Sequence, residues 1–183
     1  MKKVANFVLF QASWFALVLS VEKSWGPLAF AFVAGSLALH FLWISDNARR
    51  DALLIALVSP LGLALDTALA HGAVLQYRGA ALFGVLAPAW ILALWAIFAM
   101  TFHSSMSWMQ ARYKTAALFA GLGAPLSYAA AARSSAVAFV DPIWRSVAIV
   151  AFSWAVAMPL FLLLSVRCAH FTAAGRVQSP KAA

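Results

Sequence analysis

Six apolar runs, at residues 4–21, 27–44, 52–70, 81–102, 115–133 and 142–166, are separated by polar joints of at most a dozen residues. A helix needs about 20 apolar residues to cross the roughly 30 Å hydrocarbon core of a bilayer. The pattern therefore predicts an all-α, polytopic membrane bundle of about six transmembrane helices. Residues 1–171 form one transmembrane domain in this reading, and 172–183, polar and small, a disordered cytoplasmic tail. Such short joints make consecutive helices antiparallel neighbours.

Composition excludes a water-soluble fold. Hydrophobic residues are 65% of the 183 and charged residues 10%, against about 45–50% and about 25% in soluble domains. The net charge of +8 does not point to nucleic acid, because Lys and Arg are confined to joints and tail and form no basic face. It reports topology instead. Lys2, Lys3, Arg49, Arg50, Arg112, Lys114, Arg167, Arg176 and Lys181 fall on one side of the predicted membrane, and only Lys23, Arg78, Arg133 and Arg145 on the other. Nine against four places both termini in the cytoplasm. The first run resembles a secretory signal, but it is long for a signal core and lacks a small-residue cleavage site after Val21, so it is read as a retained helix.

Few residues here suit chemistry. Cys168 stands alone, and no His and Cys spacing suggests a zinc site, so neither a metal nor another cofactor is expected. The outstanding residue is Asp66, a carboxylate inside the third apolar run. An acid at that depth faces a protein partner or a cavity, because lipid solvates it poorly. Ser59, Gly62 and Asp66 are spaced i, i+3, i+7, giving one helix face that is small and polar. At 1.5 Å per residue Asp66 lies about 21 Å from the cytoplasmic edge, Tyr128 about 20 Å and Arg133 about 27 Å, so these three share the outer half. Tyr128 and Arg133 are about 140° apart around their helix, and both reach Asp66 only if Pro125 distorts it.

A second polar set lies nearer the cytoplasm. Gln11 and His40 are each about 10 Å deep and are expected to pair as interhelical glue. Asn6, Ser13 and Ser20 share another face of the first run. Ala116, Ala120 and Ala124 repeat every four residues beside Gly121, which marks the fifth helix as the expected packing centre. The eight tryptophans are read chiefly as packing and interfacial anchors. Ser59-Pro60-Leu61-Gly62 echoes Ala124-Pro125-Leu126-Ser127, and Pro88-Ala89-Trp90 echoes Pro142-Ile143-Trp144. The separations from first proline to second, 28 and 17 residues, do not match, so a duplication is not established.

Several pieces taken in order resemble a family of small bacterial inner-membrane proteins known only as a domain of unknown function. They are Asn6-Phe7-Val8-Leu9-Phe10-Gln11 with Trp14-Phe15, Asp66, Pro88-Ala89-Trp90 with Leu94-Trp95-Ala96-Ile97-Phe98, Ser105 with Trp108, and Pro125-Leu126-Ser127-Tyr128 with Arg133. The resemblance implies a six-helix protein of the bacterial inner membrane. It also implies a role near membrane-lipid modification, since relatives are encoded beside fatty-acyl-modifying enzymes.

Three functions compete on these residues. The favoured one is a non-enzymatic component that binds membrane lipids or a protein partner within the membrane, with no nucleic acid involved. A small-solute or proton-coupled transporter, or its capture subunit, would use Asp66 as its ligand or coupling group. A lipid-modifying enzyme would rest on His103 with Ser104 and Ser105, with Arg112 and Lys114 holding a headgroup.

Overall fold

The computed structural model describes residues 1–23 and 25–177. Six α-helices form the bundle: α1 (Lys2–Ser20), α2 (Gly26–Leu39), α3 (Ala48–His71), α4 (Ala89–Ala99), α5 (Tyr113–Arg133) and α6 (Ile143–Val177). Among the described residues five are long and apolar enough to cross a membrane, α2 when counted with the turn that continues it to Ile44; α4 is too short to count among them. The chain is thus a helical multi-pass membrane protein.

Local chemistry sets most helix ends. Pro27 occupies the first turn of α2, where a missing N–H is harmless. Asn47 caps α3 by accepting the Arg50 N–H at 3.2 Å. Helices α3 and α5 stop by the same device. Ala73 and Ser135 adopt positive φ (51° and 53°). The following N–H groups of Val74 and Ala136 reach back to the carbonyls of Leu69 and Ala131 at 3.0 and 3.1 Å. This is a Schellman closure with a non-glycine residue at its left-handed position. Each stop feeds directly into a short strand, β1 (Leu75–Tyr77) or β4 (Val137–Phe139), and the two strands pair antiparallel with Tyr77 opposite Val137.

That pairing puts the ends of α3 and α5 at one end of the bundle, called here the strand end. The chain between them must return to the other end and does so through α4. The fourth apolar run, expected as one helix over 81–102, divides instead. Residues 81–88 form a hairpin of β2 (Ala81–Leu82) and β3 (Leu86–Pro88), turned at Phe83 and Gly84, both at positive φ. Helix α4 then has 11 residues, about 16 Å long, and a buried turn of Met100, Thr101, Phe102 and Ser104 completes the passage. Non-helical backbone at such depth is tolerated because protein surrounds it.

Helix α4 is also the packing centre, in place of α5. It contacts α1, α2 and α3 and buries Trp90, Ile91, Trp95, Ile97 and Ala99. Helix α5 packs along α6, where a Cβ on Gly121 would lie 3.3 Å from the Cβ of Ala155. The units α3–β1–α4 and α5–β4–α6 follow one plan, each with an internal proline in its first helix and a Pro-x-Trp entry to its second. The β2–β3 hairpin, inserted only in the first unit, is one reason the proline separations differ. At the far terminus α6 continues through Val177, and Thr172 is buried with its hydroxyl donating to the Cys168 carbonyl at 3.0 Å. The tail expected from Thr172 therefore starts as helix; its last residues, 178–183, lie outside the described residues.

Candidate functional site

Asp66 is 2% exposed, five residues before the end of α3. The small face foreseen on that helix has a specific use: the Trp95 indole of α4 lies over Gly62, where a Cβ would come within 1.9 Å of Trp95 Cδ2. Seated there, Trp95 Nε1 donates to Asp66 Oδ2 at 2.5 Å. Two phenols donate to Oδ1: Tyr77 from β1 at 2.5 Å, and Tyr128 from α5. Burial, with Tyr128 and Asp66 adding to it, pushes the Tyr77 phenol well above its ordinary range, so it remains a donor. Trp95 stacks on Trp154 of α6, ring centroids 5.0 Å apart at 14°, and Trp154 meets Tyr128 edge-on at 6.4 Å. Four elements besides α3 thus fix one carboxyl group.

Of the three groups assigned to the outer half, the structure joins Asp66 and Tyr128 and leaves Arg133 apart. Arg133 is exposed in the last turn of α5, and among the described residues no ion pair reaches Asp66. Helix α5 passes through Pro125 without the distortion needed to turn both side chains inward. Tyr77 and Trp95 were missed as partners. Tyr77 sits in the joint between the third and fourth apolar runs, outside any predicted span, while the available signal for Trp95 was Gly62, a glycine one turn from the acid.

Asp66 lies against an elongated cavity of about 640 Å³. Helices α1 and α5 flank it, with Phe7, Trp14 and Phe15 on one side and Phe119, Gly123 and Leu126 on the other; Trp95, Phe98 and Trp154 lie deeper. Phe7, Phe15, Phe119 and Leu126 are also exposed on the outside, so the cavity is a groove opening sideways toward the bilayer. Ala116, Ala120 and Ala124, expected to draw another helix close, line this groove instead. Their missing bulk is what leaves it open.

The second polar set assembles at the opposite end around different partners. His40 begins a π-helical turn, His40–Ile44, that closes α2. Asn6 and His40 are both 0% exposed, with Asn6 Nδ2 3.3 Å from His40 Nδ1. His40 Nε2 is 3.2 Å from Asp51 Oδ2. With Asn6 donating, His40 carries its proton on Nε2 and donates to Asp51. Asn6 Oδ1 accepts from the Ser105 hydroxyl at 2.7 Å, and Asn6 Nδ2 reaches the Met100 carbonyl at 3.3 Å. Gln11, the expected partner of His40, lines the groove instead. It lies one and a half turns deeper than Asn6 and about 140° around α1. Asp51, read as a joint residue, is buried, with Ser45 donating to it at 2.6 Å and Arg50 at 2.9 Å. Ser13 donates to Ser36 at 3.0 Å, tying α1 to α2.

His103 makes no hydrogen bond to its neighbouring serines among the described residues. Its Nδ1 accepts from Gln110 at 2.9 Å, while the Ser105 hydroxyl turns to Asn6. Among the described residues no three His, Cys, Asp or Glu side chains come together to share a metal ion.

The family of proteins of unknown function (DUF2878) matches residues 3–160. The chain belongs to this family. The DUF2878 match includes Asp66 and its three donors, both walls of the groove, and the Asn6–His40–Asp51 cluster. Comparisons with curated proteins and with solved structures found no match.

Proposed function

We propose that this protein binds one hydrocarbon chain of an amphiphile or membrane lipid in the groove between α1 and α5, as a non-enzymatic component of the bacterial inner membrane. The observation that carries the reading is the groove itself: apolar, open toward the bilayer, and ending on a buried carboxyl group. Its volume falls in the roughly 300–1,000 Å³ range of small-molecule sites. From Ala116 to Ala131 it runs about 22 Å along α5, longer than the roughly 15 Å of one leaflet of hydrocarbon. An extended single chain suits that shape better than a protein helix, which is about 10 Å wide. The excess of Lys and Arg at the Asn6 end supports placing that end, and both termini, in the cytoplasm.

The test uses Gly123, which borders the groove and has no atom within 4 Å of an added Cβ. Gly123→Leu should fold normally while narrowing the groove. Protein purified in mild non-ionic detergent is expected to retain a chain-bearing lipid, identified by mass spectrometry, and the variant to lose most of it. Equal retention by both would overturn the reading.

A further inference from the structure

The two buried acids of this protein are treated differently. Asp51 has Arg50 at 2.9 Å and His40 at 3.2 Å. Asp66 has three neutral donors, two phenols and an indole, and among the described residues no ion pair. Neutral donors satisfy acceptor sites but supply no opposite charge, and buried charges are ordinarily paired. A carboxylate offers about four acceptor sites, and three are taken here, so one stays open on a group that borders the groove.

We propose that the groove selects a protonated amine: its ligand is a single-chain amphiphile with a primary ammonium group that docks on Asp66 and restores charge balance. The inference rests on the chain-binding reading above and adds the chemistry of the polar group. An ammonium donates to the open acceptor site of Asp66 and brings the charge that Arg50 brings to Asp51. Trp154 and Tyr128, which border the same cavity, add aromatic surface of the kind that attracts cations. An alcohol would add a fourth neutral donor and leave the charge as it was. A fatty acid would bring a second negative charge.

The experiment is a competition in non-ionic detergent against a bromine-labelled alkyl chain, whose quenching of tryptophan emission reports occupancy. The competitors are dodecylamine, lysophosphatidylethanolamine, dodecanol and dodecanoate at neutral pH. At least one of the two amines is expected to bind about tenfold or more tighter than the alcohol, with dodecanoate the weakest; which amine wins separates a free amine from a lipid headgroup. In Asp66→Asn, which keeps one acceptor oxygen, the preference should fall to near parity. The wild-type ranking needs no variant and stands if Asp66→Asn fails to fold. Equal affinity for amines and alcohol, tight binding of dodecanoate, or a preference that survives in Asp66→Asn overturns this proposal and leaves the groove reading intact. Absence of quenching by the labelled chain overturns both.

Discussion

Gly62 and Trp95 interlock: the indole fills the volume that any side chain at residue 62 would need, and its Nε1 holds one oxygen of Asp66. Small and large are matched across α3 and α4, so the acid's environment depends on a residue with no functional atoms. Gly62→Ala should displace Trp95 and destabilise the protein by about 1–3 kcal/mol, the usual range for overpacking. Gly35→Ala on α2, with nothing within 4 Å of its added Cβ, should be neutral or stabilise by up to about 1 kcal/mol. Thermal unfolding in detergent followed by tryptophan emission compares the two; equal midpoints would contradict the interlock.

Asn6 is the hub at the other end, where it touches His40, Ser105 and the Met100 carbonyl. Asn6→Ala leaves several buried groups without partners and is expected to cost about 1–3 kcal/mol. Ser13→Ala, which removes one bond to Ser36, should cost nearer the ~0.6 kcal/mol average for interhelical bonds in membranes. Unfolding measurements on both variants check the ranking, and a larger loss for Ser13→Ala would contradict it.

His103 lies in the turn between α4 and α5. Burial, with the nearby Arg50 cation second, holds its imidazole down to about 4, against an unperturbed value of about 6.5. The folded protein therefore binds fewer protons than the unfolded chain between those values. The resulting stability is present above about pH 6.5 and is lost as pH falls toward about 4. His103→Gln should flatten the dependence of the unfolding midpoint over that window. An unchanged slope would remove His103 as its source.

The bundle was legible because apolar run length reports directly on helices in lipid. Asp66 stood out for the same reason, as an acid among apolar neighbours. Its partner set was only partly legible. Tyr128 emerged from depth counting, but depth does not fix which way a side chain turns, and Arg133 at similar depth points away. Tyr77 and Trp95 reach Asp66 through strand pairing and the Gly62 gap, which are long-range relationships that periodicity does not carry. Asp51 resembled an ordinary joint residue because its burial depends on the π-helical turn that brings His40 and Ser45 onto it, which the apolar pattern does not show. The division of the fourth run was hidden because hydropathy does not distinguish an apolar hairpin and short buried helix from one long span.

The central claim is that lipid chains enter between α1 and α5. The most direct measurement is photocrosslinking in bilayers containing a diazirine-labelled acyl chain, with adducts mapped by peptide mass spectrometry. Adducts are predicted on groove residues such as Trp14, Ala120 and Trp154, and their loss in Gly123→Leu, while adducts on the outer face of α2 and of the π-helical turn that closes it, at Leu28 and Leu42, persist. Adducts confined to such outer faces, or groove adducts undiminished by Gly123→Leu, would contradict the account.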